Sequence, residues 1–309
     1  MVIHLRYGAE EQIIRFKDIH LASWRYSCKI MQKITAIFEL MRLDKPIGIY
    51  LLLWPALIAL VISTEGHPLL WQVGMVVLGS ILVRSTGCVI NDIWDRDLDG
   101  KVTRTKARPL PSQRLTLTEA WLIFIVLGGL SLSLLTLVNM NTLIISGLFA
   151  GLIILYPLTK RFFIGPQLFL GITFNPVIIV FALTEQLSNP VMPYLFFAIA
   201  SLTIAFDSFY GLTDREDDIH LKINSTPLWW GKKTLPIIMG FQIMAICLLG
   251  MIGKIDGLKL LWFLGLILMG VFFIFQHRLA REQKYLEAFK NNHWAGLFLL
   301  ILVLGTYIF

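Results

Sequence analysis

Apolar residues in this chain gather into long unbroken runs, with polar residues confined to short joints between them. Nine runs are long enough to cross a bilayer as helices, at 46–64, 69–91, 118–138, 141–158, 162–184, 191–211, 233–252, 258–276 and 292–308. Breakers and polar residues mark the joints: Glu65-Gly66-His67-Pro68, Asn139-Met140-Asn141, Ser188-Asn189-Pro190 and Lys254-Ile255-Asp256-Gly257. Pro55 and Pro176 fall inside runs, where neighbouring helices can satisfy the freed carbonyls. The pattern predicts an all-α, polytopic membrane domain over 41–309. Residues 1–40 read differently. Arg6, Arg15, Lys17, Arg25, Lys29 and Lys33, with Arg42 just beyond, are strewn among Ile, Phe and Trp, and no apolar core leads to a cleavage site. Glu10, Glu11 and Asp18 argue against a transit peptide, which leaves an amphipathic segment on the membrane surface.

Composition agrees. At 56% hydrophobic and 15% charged, with a mean hydropathy of +0.72, the chain is too apolar for a soluble globule. The net charge of +7 does not signal nucleic acid, because the basic residues sit in loops between spans. Their distribution sets orientation instead. With alternating connections, one side holds the N-terminal segment, Arg96 to Arg114, Lys160-Arg161, Arg215 to Lys233 and Arg278 to Lys290. The other holds only Lys254 and Lys259. The positive-inside rule puts the crowded side in the cytoplasm; a bacterial inner (plasma) membrane is expected rather than a mitochondrial one, a choice the charges do not make.

Cys28, Cys88 and Cys247 are isolated, with no C-x-x-C pair, which argues against a disulfide framework, a zinc site and an iron–sulfur cluster. The histidines form no ligand pair, and no G-x-S-x-G occurs. Gly231-Lys232-Lys233-Thr234 imitates the end of a phosphate loop, but Thr226 stands where its first glycine belongs.

The candidate chemistry lies in two acidic motifs, each at the tail of an apolar run. In Asn91-Asp92-Ile93-Trp94-Asp95-Arg96-Asp97-Leu98-Asp99, three carboxylates (Asp92, Asp95, Asp99) fall at i, i+3 and i+7, one helix face. In the second, Asp207, Asp214 and Asp218 fall at i, i+7 and i+11, again one stripe if the helix continues, with Tyr210 beside it and Asp217 adjacent. Stacked carboxylates repel unless a cation lies between them, and hard oxygen ligands suit Mg²⁺ together with substrate phosphate. Acids this close to hydrocarbon mark a functional site rather than a solvated face. A weak internal repeat follows, since runs two and six both end in such a motif and a basic loop. Arg84 is the one basic residue placed inside a run, seven residues before Asn91 on the same face. It needs an anionic partner, either a motif aspartate or a carboxylate on a substrate.

Several segments resemble the UbiA prenyltransferase superfamily. They are Leu43-Asp44-Lys45-Pro46-Ile47-Gly48, Leu53-Trp54-Pro55, Gly87 to Asp92, Arg104 to Ser112, Tyr156-Pro157 with Lys160-Arg161, Asp214 to Asp218, and Asn291-Asn292. The resemblance covers roughly residues 40–309 and is nearest to bacterial members that prenylate 4-hydroxybenzoate, a step in ubiquinone biosynthesis. It implies nine transmembrane helices in a bundle around a central cavity, with a cytoplasmic cap and a lateral opening to lipid. It implies that two Mg²⁺ ions, held by Asn91, Asp92, Asp95, Asp99, Asp207, Asp214, Asp217 and Asp218, bridge the diphosphate of an all-trans polyprenyl donor. Arg104, Arg108 and Lys160 would bind phosphate oxygens and Arg84 the acceptor's carboxylate, with Asn91 and Tyr210 also lining the substrates. Asp92, Asp95, Asp207, Asp214 and Asp218 would carry the catalysis. The rival readings are a different aromatic acceptor or an ion-coupled transporter, although transporter acids belong near the midplane rather than at helix ends. A phosphotransferase signature is imitated by Asp99-Gly100 and Ala107-Arg108, but the gap between them is too long.

Overall fold

The structure is a computed structural model that describes the backbone of residues 2–7 and 10–307 and the side chains of residues 24 and 27–307. It opens on a hairpin of two antiparallel strands, β1 (Val2–Tyr7) and β2 (Glu10–Arg15), with Val2 opposite Arg15 and Tyr7 opposite Glu10. Helix α1 (Phe16–Leu40) follows. Its Ala36 and Leu40 are buried while Ile30, Met31, Ile34 and Phe38 are exposed, so its described second half is two-faced. The rest of the amphipathic reading of residues 1–40 falls on side chains outside the described residues.

The membrane body is all helix. Seven segments are long and apolar enough to span a bilayer: α3 (Leu70–Asp99), α4 (Leu117–Leu135), α5 (Met140–Phe162), the pair α6 (Pro166–Thr173) with α7 (Val177–Leu183), α8 (Met192–Thr213), the run from α10 (Thr226–Trp230) into α11 (Thr234–Ile255), and α12 (Leu260–Arg281). The two remaining predicted spans are also helical. Helix α2 (Ile47–Ser63) has only 17 residues, and α13 (Tyr285–Tyr307) begins with polar turns. A short helix, α9 (Arg215–Leu221), follows α8.

Local chemistry sets the boundaries. Thr116 and Glu119 cap each other's backbone N–H at the start of α4. The Asn139 carboxamide accepts the N–H of Thr142 (2.9 Å) to start α5, and donates to the carbonyl of Ala182 (2.8 Å), tying that joint to α7. The span predicted over 162–184 is broken at Phe174-Asn175-Pro176. Proline disfavours helix at the preceding residue, and the Asn175 side chain accepts from the freed N–H of Val177 and ties the break to α8 by donating to the carbonyl of Phe196.

Helix α8 runs through the middle, packed against α6, α11 and α13. Helix α2 packs on α3, α7 and α13, α12 joins α11 to α13, α5 bridges α3 to α6 and α7, and α4 lies on the outside of α3. Ile58, Phe181, Leu195, Ile199 and Trp262 are fully buried at the centre. Bare glycines let helices close on one another where lipid gives no hydrophobic drive: a Cβ on Gly265 would stand 2.4 Å from Leu302, and one on Gly253 would stand 2.4 Å from Trp262. A small apolar cavity lies between α2, α8, α12 and α13, lined by Trp54, Ile199, Phe206, Met269, Asn292 and Leu299 among others.

Candidate active site

Helix α3 continues eight residues beyond the predicted end of its apolar run, so the first acidic motif is fully helical. Its three-and-four spacing does put Asp92, Asp95 and Asp99 on one inward face, and all three are buried. Buried carboxylates need cations, and each has one. Arg42, in the turn between α1 and α2, donates from Nη2 to both oxygens of Asp92 (2.7 and 2.9 Å). Arg108 donates from Nη1 to Asp92 Oδ1 (3.1 Å) and to Asp99 Oδ2 (2.6 Å). Lys160 Nζ stands 3.6 Å from Asp95 Oδ2, while Asp95 Oδ1 is buried with no hydrogen-bond partner. Asn91 is half-buried on the same helix.

The second motif departs from its prediction. One continuous helix would align Asp207, Asp214 and Asp218, but α8 ends at Thr213 and α9 begins at Arg215. Asp214 is the hinge between them (φ −100°, ψ 6°), so the three acids do not share a helix stripe. Helix α9 stops at Lys222, which takes the left-handed conformation (φ 55°). Asp207, Asp217 and Asp218 form no ion pair among the described residues, in contrast to the first motif. Burial pushes the Asp218 carboxyl up to about 6, against the opposing pull of Ser225 and Lys160.

The end of α5 joins the two motifs. Its helix runs on to Phe162, which makes Lys160 and Arg161 helical, so Arg84 is not the sole basic residue on a spanning helix. Arg161 donates to the carbonyl of Trp94 in the first motif (3.0 Å). The carbonyl of Lys160 accepts the N–H of Asn224, just past α9 (3.1 Å). The Lys160 ammonium lies within electrostatic reach of Asp95, Asp207, Asp99 and Asp218, acids from both motifs. Arg104 makes a second bridge, donating from Nε and Nη2 to the two oxygens of Asp214 while its guanidinium covers the ring of Tyr210 at 4.7 Å. The two tips therefore face each other, as the sequence requires.

Arg84 sits two turns below. It makes no ion pair among the described residues, which removes the reading of a structural pair with a motif aspartate. Its guanidinium lies 5.2 Å from the centre of the Phe174 ring, its Nε is buried without a hydrogen-bond partner, and Asp207 is within reach of its charge.

The donor set fits a hard divalent cation. It is oxygen-rich, it includes an orphaned buried carboxylate oxygen on Asp95, and it leaves three acids of the second motif unpaired. Among the described residues, no three Asp, Glu, His or Cys side chains converge as a ready-made cage. The eight ligands that the sequence suggested therefore do not form one preformed site, and a divalent ion here would take one or two carboxylates and complete its shell with water and phosphate. Arg42 is the residue that sequence reasoning missed. It falls among the scattered basic residues of the N-terminal region, and nothing in the chain's local pattern ties it to an acid fifty residues away.

Fold and site together define a multi-pass helical membrane protein with a cluster of acidic and basic side chains at one end of its bundle. The chain belongs to the UbiA prenyltransferase family, whose sequence pattern matches residues 52–302. It is 40% identical over 273 residues to a 4-hydroxybenzoate octaprenyltransferase of Pseudomonas aeruginosa (strain UCBPP-PA14), covering 87% of this chain and 92% of that one. It is also 40% identical over 285 residues to the Vibrio vulnificus (strain CMCP6) enzyme of the same name, covering 90% and 98%. Among solved structures, a UbiA homolog from Aeropyrum pernix K1 without ligand superposes with a TM-score of 0.72 at 23% identity, over 82% of this chain and 94% of that one. A UbiA homolog from Archaeoglobus fulgidus bound to GPP and Mg²⁺ gives a TM-score of 0.65 at 16% identity, over 89% and 100%.

Proposed function

We propose that this protein transfers a polyprenyl group from an all-trans polyprenyl diphosphate to the ring carbon ortho to the phenol of 4-hydroxybenzoate, as in ubiquinone synthesis. The observation that carries this reading is the convergence of both acidic motifs on Lys160, with an unpaired arginine two turns deeper. The upper part suits a metal–diphosphate and the lower part an aromatic acid. The 40% identity to enzymes named for this reaction, over most of both chains, supports the choice of acceptor.

In this reading the carboxylates of Asp92, Asp95, Asp99, Asp207, Asp214, Asp217 and Asp218, with Asn91, would between them hold two Mg²⁺ ions together with the substrate diphosphate. When bound, magnesium supplies the positive charge that eases departure of diphosphate. Lys160, Arg104 and Arg108 take phosphate oxygens and hold the leaving group in place as the allylic C–O bond breaks. Arg84 grips the acceptor's carboxylate and fixes the ring. The C–C bond forms ortho to the phenol, and the ring proton leaves to a carboxylate of the second motif. The apolar walls around Phe174 and Phe206 exclude the water that would otherwise quench the allylic cation. The prenyl tail gains about 0.8 kcal/mol per buried CH₂ from such walls, enough to bind without a tight reading of length. The segment between α3 and α4 caps the chamber on the cytoplasmic face of a bacterial inner membrane, and residues 1–40 lie along that face.

The test is to incubate purified protein with Mg²⁺, a prenyl diphosphate and a panel of aromatic acids, scoring prenylated product and released diphosphate. 4-Hydroxybenzoate is expected to be the preferred acceptor. Preference for a dihydroxynaphthoate or homogentisate would replace the acceptor while keeping the chemistry, and absence of any prenylated product would end the proposal.

A further inference from the structure

We infer that Gly48 is a specificity-determining, positioning residue, and that the space left by its missing side chain is the seat of the Arg84 guanidinium. A Cβ built on Gly48 would stand 2.6 Å from Arg84 Nε, 2.8 Å from Nη2 and 3.1 Å from Cζ. No side chain larger than hydrogen can share that space with the guanidinium where it now lies. The inference rests on the reading of Arg84 as the group that takes the acceptor's carboxylate.

Three observations separate this glycine from the others. First, the backbone does not ask for it. Gly48 lies in the first turn of α2 and is absent from the residues of positive φ, so alanine would suit the helix better. Second, the close glycines at 253 and 265 are filled by the apolar side chains of Trp262 and Leu302, as interhelical notches should be, whereas the notch at 48 is filled by a charged group. Third, that group has nothing else to hold it. Arg84 makes no ion pair among the described residues, its Nε is buried and unpartnered, the face of Phe174 lies against it, and Asp207 acts on it only at longer range. Gly48 and Phe174 together bound the guanidinium, leaving its donors free for an incoming carboxylate. A methyl at position 48 displaces the end of a flexible side chain rather than backbone. The fold therefore survives while the donors turn away from the acceptor.

The experiment compares Gly48→Ala, Arg84→Ala and the double variant in the full-length protein, with Gly48→Ser as a second substitution at the same place. Apparent KM is measured for 4-hydroxybenzoate and for the prenyl diphosphate, alongside the rate with 4-hydroxybenzamide, which lacks the carboxylate charge, and thermal stability. Gly48→Ala is expected to raise the acceptor KM about tenfold or more, the scale of losing a charge-assisted hydrogen bond. The donor KM should stay within about twofold, stability should be unchanged or higher, and the preference for the acid over the amide should narrow. The double variant should be no worse for the acceptor than Arg84→Ala alone, because the glycine acts only through the arginine. If Arg84→Ala raises the acceptor KM and both glycine variants leave it alone, the role of Gly48 is overturned and the clamp stands. Additive effects in the double variant would also overturn it. If Arg84→Ala leaves the acceptor KM unchanged, the clamp itself is wrong, and the inference falls with it.

Discussion

Arg104 grips Asp214 with two parallel N–H donors across a sequence separation of 110 residues, and so fastens the loop after the first acidic motif to the hinge of the second. The pair is half-buried, with side-chain exposures of 32% and 18%, and Tyr210 closes the far face of the guanidinium. A bidentate pair of this kind sets distance and angle as well as charge. It is thus the structural element that keeps the two motifs opposite each other before any ligand arrives.

A double-mutant cycle on Arg104→Ala and Asp214→Ala should give a coupling energy of roughly 1–2 kcal/mol in thermal stability. Both single variants should lose turnover, since each proposed role is tied to the geometry of the other. Strictly additive effects on stability would mean that the pair does not hold the tips together.

Asp92 and Asp207 should fail differently when neutralised. Asp92 is fully buried and is the common partner of Arg42 and Arg108, so Asp92→Asn strands Arg42 and leaves Arg108 with Asp99 alone. It should lower stability by roughly 2–4 kcal/mol as well as abolishing turnover. Asp207 has no ion pair among the described residues, so Asp207→Asn should lose turnover while its melting temperature stays at or above the parent's. Equal destabilisation by both substitutions, followed by thermal unfolding in detergent, would contradict this division.

The first motif was legible in the sequence because α3 is continuous: a helix of 3.6 residues per turn converts the spacing of Asp92, Asp95 and Asp99 directly into a shared face. The second was only half legible. Residues 212–215 carry no proline or glycine to announce that α8 stops at Thr213, so the stripe extrapolated from Asp207 to Asp218 does not exist as one face. The same blindness hid the break at 174–176, where continuous hydropathy masked what Asn175-Pro176 does to the backbone. Apolar runs report burial in lipid, and they do so whether the helix inside is whole or broken. Pairings such as Arg42 with Asp92, or the seat of Arg84 against Gly48, join distant segments and have no local signature at all.

Arg42 competes with metal for Asp92. Its two hydrogen bonds, at 2.7 and 2.9 Å, meet both carboxylate oxygens, and its charge opposes any second cation that approaches Asp92. Arg42→Gln should therefore tighten Mg²⁺ binding in the absence of substrate by about threefold to tenfold, equivalent to roughly 1 kcal/mol. Titration calorimetry of the two proteins checks it. Unchanged or weaker binding in the variant would show that Asp92 is not a ligand in the substrate-free state.

Asp218 makes metal uptake pH-dependent in a predictable direction. Its carboxyl is raised from 3.8 to about 6, chiefly by burial, so the folded protein holds a proton there between about pH 4 and 6 that the unfolded chain has released. Its contribution to stability is thus fully present below pH 3.8 and lost as pH rises through about 6, where the buried group is forced to ionise. A cation beside the carboxylate reverses that penalty, because it favours the charged form. Mg²⁺ binding should then release protons near pH 6 and none near pH 8, and its affinity should fall as pH drops below about 6. Calorimetry in two buffers of different ionisation enthalpy separates the proton term. Replacement by Asn at 218 should reduce the release, leaving only the share that comes from the other buried acids of the site. An affinity that holds constant from pH 8 down to 5, with no protons released, would take Asp218 out of the metal site.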